Sequence, residues 1–315
     1  MNSSKDKIES IHNSLQIWYE GKQNSSGLEM DVNVWRLKGK IKREIFLDFG
    51  LKVLCPEDVC KIFIYFPFLL DKGNLISLGK QMENVSLLNG IFNENYVIST
   101  KAKNISVIEE NSIKEAFSIY QLDIEKDITI ENVFSGTVVS FIVKHKNNTP
   151  RYYRFRVQAR KYGTLFERYK PKNSFFESAF IETEIIDFRI NEKRNQDNGL
   201  VERIDENQKF KIKVINFFVM SPIQDEIDSD GINLVYKRQL EMGNFWGAYL
   251  SRSYNRMSVY KCKTKDGISP IENFNCFCKI KYRKSNFFTI FIYLVVLFFL
   301  TIGFDFLSNM LWQIF

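Results

Sequence analysis

Phe287 to Phe304 reads FFTIFIYLVVLFFLTIGF, 18 residues without a charge. No other stretch narrows the possible folds as much. A helix with no polar face must bury its whole circumference, in a large core or in a bilayer. At about 1.5 Å rise per residue the run sits at the lower end of what spans a hydrocarbon core. The expectation is a single C-terminal transmembrane helix over 287–304 with a tail to 315. Asp305 ends the run and is read as a membrane-embedded polar residue, or as an interfacial one at the helix end.

The flanking charge sets the expected orientation. From Ser251 to Ser285 nine basic residues face only Asp266 and Glu272, a net +7, which equals the net charge of the whole chain. No Lys or Arg follows the run. The positive-inside rule then predicts a single-pass, tail-anchored protein with its N-terminal body in the cytoplasm. Lys279, Lys281, Arg283 and Lys284 are the expected membrane-surface residues. The polar start of the chain does not read as a secretory signal. Five cysteines, Cys55, Cys60, Cys262, Cys276 and Cys278, form no regular disulfide framework.

The body leans towards β-structure. Ile, Val, Phe and Tyr recur in alternation, while Gly (15) and Pro (6) are scarce. The predicted class is mainly β (α+β), with one or two β-sandwich-like modules. Residues 1–22 are expected to hold an amphipathic helix, because Ile8, Ile11, Leu15 and Trp18 keep helical spacing before Gly21. Residues 31–172 read as one β-rich domain. Its strands are expected at Glu44–Leu54, Lys61–Leu70, Ile128–Val133, Thr137–His145 and Arg151–Arg160. Ser112 and Glu115 match a capping box and predict a helix there. Lys146–Pro150 reads as a hairpin loop. A boundary at Tyr169–Ser174 leads to a second β-rich domain, 174–284. It has strands near Ser178–Ile190, Gln208–Met220, Val259–Lys263 and Phe274–Tyr282, an exposed loop at Asn191–Glu206 and a short helix within Ile232–Leu250.

Few residues suggest chemistry. Arg154, Arg156 and Arg160 alternate with apolar residues, so a strand would put them on one face. With Lys161 they form a candidate ligand-binding set, since arginine forks grip phosphates and carboxylates. The competing reading is a solvated face, or pairing with Glu177, Glu182, Glu184 and Asp187. Arg238, Glu241, Trp246 and Tyr249 make a polar-aromatic group that reads as a pocket, an interface, or a helix packed on the second sheet. Asp225–Gly231 resembles part of a calcium loop, but Lys237 stands where the essential Glu belongs. Cys276 and Cys278 lack the second pair a zinc site needs. No metal, cofactor or catalytic residue is expected.

These observations lead to an expected function without catalysis. A membrane-anchored cytoplasmic module would recognise a protein partner, a ligand or a second copy of itself, as an adaptor or as a defence effector. A nucleotide or nucleic acid held by the basic strand is the alternative partner, and an enzyme with an unrecognised carboxylate site is a further one.

Overall fold

The computed structural model describes residues 14–23, 26–39, 44–133, 136–145, 148–169, 181–194, 196–228, 234–254, 256–263, 270–283 and 287–314. Among them eighteen strands run in chain order. They are β1 (Ser14–Gly21), β2 (Gly27–Leu37), β3 (Glu44–Val53), β4 (Val59–Phe66), β5 (Leu75–Ser77), β6 (Tyr96–Lys101), β7 (Asn104–Glu109), β8 (Glu115–Tyr120) and β9 (Ile128–Val133). Then follow β10 (Gly136–Ile142), β11 (Arg151–Val157), β12 (Phe166–Tyr169), β13 (Ile181–Ile190), β14 (Lys211–Pro222), β15 (Glu226–Asp228), β16 (Leu234–Gln239), β17 (Met257–Lys263) and β18 (Phe274–Arg283). Five α-helices accompany them: α1 (Val85–Phe92), α2 (Ile124–Asp127), α3 (Asn198–Asp205), α4 (Asn244–Leu250) and α5 (Phe287–Ile314).

The strands form two mixed sheets. The smaller has eight strands in the order β15-β18-β13-β1-β4-β10-β9, with β12 beside β13. The larger has ten in the order β16-β17-β14-β2-β3-β11-β8-β7-β6, with β5 beside β11. Alternation decides which side chains meet between them. Val32, Val34, Leu47, Phe49, Phe155 and Phe217 from the larger sheet join Ile62, Ile64, Phe141, Phe188 and Ile280 from the smaller in one core. Rings pack edge to face (Phe49 on Phe66) or stacked (Phe188 on Phe217), as their quadrupoles favour.

One topological motif occurs twice. β1 lies in the smaller sheet, β2 and β3 pair antiparallel in the larger, and β4 returns beside β1. β13, β14, β17 and β18 repeat that path. The two units meet through parallel pairs, β1 with β13 and β2 with β14. Strands from both halves of the chain therefore enter both sheets.

A polar plug closes one end of the core. Arg36, fully buried, reaches from β2 to Glu184 of the opposite sheet, with Nη2–Oε2 at 2.6 Å. Its Nη1 donates to Asp225 Oδ2 (2.9 Å) and Ser221 Oγ (2.7 Å). The guanidinium also lies 5.2 Å from the Tyr282 ring centre. Buried charges persist only when paired and hydrogen-bonded in this way.

The transmembrane expectation is corrected. Among the described residues no helix is long and apolar enough to cross a membrane. Helix α5 continues through Asp305, which is exposed. The single-pass, tail-anchored reading and the orientation drawn from it fall with the span.

Local expectations also shift. Ser14–Gly21 is strand β1, while residues 1–13 lie outside the described residues. The strand is buried on both faces, with Leu15, Ile17 and Tyr19 in the core and Trp18 against α3, so its apolar residues mimic helical spacing. Glu115–Tyr120 is strand β8, and Ser112 Oγ accepts from Lys114 N in a turn rather than capping a helix. The Lys146–Pro150 segment is no hairpin loop, because β10 and β11 belong to different sheets. Asn191–Glu206 holds α3, whose Leu200 and Ile204 pack on Trp18, Phe63 and Tyr65.

Candidate functional site

The outer face of the larger sheet carries the unusual chemistry. On β2 the outward positions are Glu29, Asp31, Asn33 and Trp35. Register places Asp31 beside Asn216 of β14 and Gly50 of β3, and Asn33 beside Phe218 and Asp48. One strand further, Gly50 meets Arg154 and Asp48 meets Arg156 of β11. A polar belt thus runs across four strands. Helices α1 and α4 cover it, which is why charges on an outward face are buried.

Each helix has a readable origin. Asn84 caps α1 by accepting from Leu87 N (3.0 Å), and Asn93, at φ 57°, ends it. Helix α4 lays Trp246, Tyr249 and Leu250 on Trp35, Leu37, Phe46, Met220 and Val259. Of the polar-aromatic group read from sequence, Trp246 and Tyr249 lie on α4, whereas Arg238 lies on β16 and Glu241 follows that strand; Trp246 and Arg238 also wall a cavity.

Arg154 and Arg156 share a face as alternation requires, but their partners lie within the fold. Arg156 forks onto Asp48, Nε–Oδ1 2.6 Å and Nη2–Oδ2 3.0 Å. Asp48 Oδ2 also accepts from Trp35 Nε1 (2.8 Å) and Tyr249 Oη (2.7 Å). Arg154 is fully buried and donates to Tyr249 Oη (2.8 Å) and Tyr152 Oη (2.7 Å). Burial works against its charge, yet Tyr152, Tyr249 and Asp48 hold its pKa well above the ordinary value. Arg160 and Lys161 are exposed past the strand end and line a different 490 Å³ depression with Glu44, Arg168 and Glu184. The four residues therefore do not converge. Glu184 pairs with Arg36 instead, and Glu177 lies outside the described residues.

Between helices and sheet lies a cavity of about 260 Å³. Its sheet side offers Asp31, Asn33, Asn216 and Phe218, and its helix side Gly90, Phe92 and Trp246. The Phe92–Tyr152 contact (centroids 5.1 Å) and the Trp35–Trp246 contact (5.4 Å) bound it. Lys52, Tyr236, Arg238 and Lys261, all partly accessible, complete its walls. Asp31 accepts from Asn216 Nδ2 (2.9 Å). Desolvation raises the Asp31 pKa, against the opposing pull of Asn216 and Arg154. Two lining residues hold buried polar atoms without a hydrogen-bond partner among the described residues, Asn33 Oδ1 and Trp246 Nε1.

Sequence reading missed Asp31, Asn33 and Asn216. The signal was the run Glu29-x-Asp31-x-Asn33 inside an otherwise apolar strand, where polar side chains on one face mark either solvent or a site.

The other candidates separate. Lys279 and Lys281 stand on β18 opposite Asp228 and Glu226 of β15, Arg283 ends that strand, and Lys284 lies outside the described residues. Cys262 and Cys276 meet across the core with sulfurs 2.9 Å apart, and Cys278 is buried nearby. Cys55, Glu57 and Asp58 bring one sulfur and two carboxylates within 4.8 Å, with Lys22 already 3.3 Å from Asp58. Of the calcium-like loop, Asp225 serves Arg36, and 229–231 lie outside the described residues.

Comparison with models of known protein families and with curated proteins finds no match for this chain.

Proposed function

We propose that the chain is a non-catalytic binding protein whose β-sandwich holds a small polar molecule in the cleft between α1, α4 and the larger sheet. The observation that carries this reading is Asp31: a carboxylate raised by desolvation at the base of a concave, aromatic-walled cavity. Ionisable groups shifted by burial cluster at functional sites, and small-ligand sites are concave, largely apolar and carry a few convergent polar groups. At about 260 Å³ the cleft falls just below the roughly 300–1,000 Å³ typical of drug-sized ligands, so a small metabolite fits it best.

Gly90 supplies the test. It sits inside α1, where glycine costs about 1 kcal/mol relative to alanine. A Cβ there would find only ordinary contacts, at 3.6 Å or more, with Phe245 and Trp246. Gly90 lines the cleft, so Gly90→Leu is expected to occupy it, with the variant's own cooperative thermal transition as the check that it folds. The full chain, screened by thermal shift against a metabolite collection, is expected to be stabilised by at least one compound, and the Gly90→Leu variant by none. Equal responses from parent and variant would place binding elsewhere and overturn the reading.

A further inference from the structure

We infer that Cys262 and Cys276 form a modification site, which a low-molecular-weight disulfide such as oxidised glutathione converts into one covalent bond between the two sheets. The inference stands apart from the cleft.

Register brings the two residues together. Cys262 of β17 lies beside Phe217 of β14 in the larger sheet. Cys276 of β18 lies beside Phe188 of β13 in the smaller. Phe188 and Phe217 stack between the sheets with ring centroids 4.6 Å apart. The cysteines are the next rung outward from that stack, and their sulfurs meet 2.9 Å apart. A disulfide bond is about 2.05 Å long, so closing it takes a movement of about 0.9 Å. β-Sandwiches elsewhere carry one disulfide from sheet to sheet against aromatic side chains. Both cysteines are 3% exposed. Only β16 lies outside β17, and only β15 outside β18, so the pair sits one strand from the edge of each sheet. Local opening at such an edge costs less than opening the centre and admits a small oxidant.

The two thiols have unequal roles. Cys276 S–H donates to Cys262 Sγ. That hydrogen bond lowers the Cys262 pKa, against the effect of burial. Hydrogen bonds with Cys262 and Cys278, and then burial, push the Cys276 thiol up. The thiolate is the nucleophile, so Cys262 attacks first. Its sulfur bonds to one glutathione sulfur, the glutathione disulfide bond breaks, and one glutathione leaves as thiolate. Cys276 then gives its proton to solvent, attacks Cys262 Sγ and expels the second glutathione as thiolate. The two cysteines lose two electrons, and one glutathione disulfide becomes two glutathiones.

Other uses of these thiols match the geometry less well. Among the described residues the sulfurs of Cys262, Cys276 and Cys278 do not all lie within 4.8 Å of one another, so they do not enclose a metal ion. A Cys276–Cys278 bond would join alternate residues of one extended strand, about 6.7 Å apart. That is the upper limit of the Cα separation a disulfide spans.

The full chain tests the inference in two treatments: oxidised glutathione added to the folded protein, and refolding from urea in a glutathione redox buffer. Free thiols are then blocked under denaturing conditions, and the peptides are mapped by mass spectrometry. A cross-linked peptide joining Cys262 to Cys276 is expected. The bond closes a short loop, residues 262–276, so the oxidised chain is expected to unfold roughly 5–10 °C higher than the reduced one. Cys278→Ser is expected to oxidise as the parent does, and Cys276→Ser to give no bond at Cys262. Fragmentation of the parent's own peptide separates Cys276 from Cys278 should Cys276→Ser fold poorly. The inference is overturned if Cys262 and Cys276 stay free in both treatments or if Cys262 pairs with Cys278 instead. An oxidised chain that unfolds no higher than the reduced one also overturns it.

Discussion

Arg156 and Asp48 face each other across the β3–β11 register and close a two-pronged ion pair, 2.6 and 3.0 Å, with both residues buried. Trp35 and Tyr249 donate to the same carboxylate. Helix α4 is thereby fastened to the sheet through one acid. Replacing Arg156 by Met leaves that acid buried and uncompensated, an effect of about 3–5 kcal/mol. Arg156→Lys keeps the charge without the fork and is expected to fall between Met and the parent. Urea unfolding gives the order; a Met variant as stable as the parent would show that the pair contributes nothing net.

Arg36 makes the corresponding link between the sheets. Arg36→Leu strands Glu184 and Asp225 and is expected to cost about 3–5 kcal/mol. Removing Glu184 in the same chain should cost less than the sum of the two single changes, since contacting charges do not act additively. A double-mutant cycle by chemical denaturation measures the coupling, and strict additivity would contradict the geometry.

The pH dependence of Asp31 has a definite sign. Its folded pKa is raised by burial, so the folded state binds the proton more tightly than the unfolded state does. The stability this group contributes is full below the unfolded carboxylate range, and it is lost as pH rises through the raised folded value. Asp31→Asn removes that loss. The variant is expected to be more stable than the parent at neutral pH, with the gap closing as pH falls towards the ordinary carboxylate range. Parallel stability–pH curves would rule this out.

Two glycines should respond in opposite directions. A Cβ at Gly50 would lie 2.1 Å from Tyr152 Oη and 3.1 Å from Arg154 Nη1, so Gly50→Ala pushes apart the packed belt beside the cleft. Overpacking of this kind costs typically 1–3 kcal/mol. A Cβ at Gly90 meets Phe245 and Trp246 only at ordinary contact distance, so Gly90→Ala regains helix propensity and is expected to be neutral or stabilising by up to about 1 kcal/mol. Thermal unfolding of both variants separates a glycine required by packing from one that leaves space.

Much of the strand content was legible. Glu44–Val53, Val59–Phe66, Arg151–Val157, Ile181–Ile190 and Phe274–Arg283 are strands near where alternation and β-branched residues predicted them. Strand β4, apolar on both faces, is central, between β1 and β10. Errors arose where the pattern was ambiguous. Strand β1, covered on both faces, looked helical. Leu200 and Ile204 were too few among charges to reveal α3. The arginines of β11 were visible as a shared face, but their partner Asp48 lies over a hundred residues earlier and no local spacing announces it.

The sequence by itself determined a mainly β body, the side of each strand on which a residue falls, and the position of the basic strand near the end. Those properties are local: they follow from alternation, propensity and charge counted along the chain. Tertiary structure alone decided which strands share a sheet and that one four-strand path occurs twice. It also decided that two helices cover an outward face and bury its charges. Asp31 became a candidate ligand contact, and Arg156 a structural one, only when β2, β3, β11, β14, α1 and α4 were brought together. Pairing across long sequence separations is fixed by packing and register, which no single segment encodes.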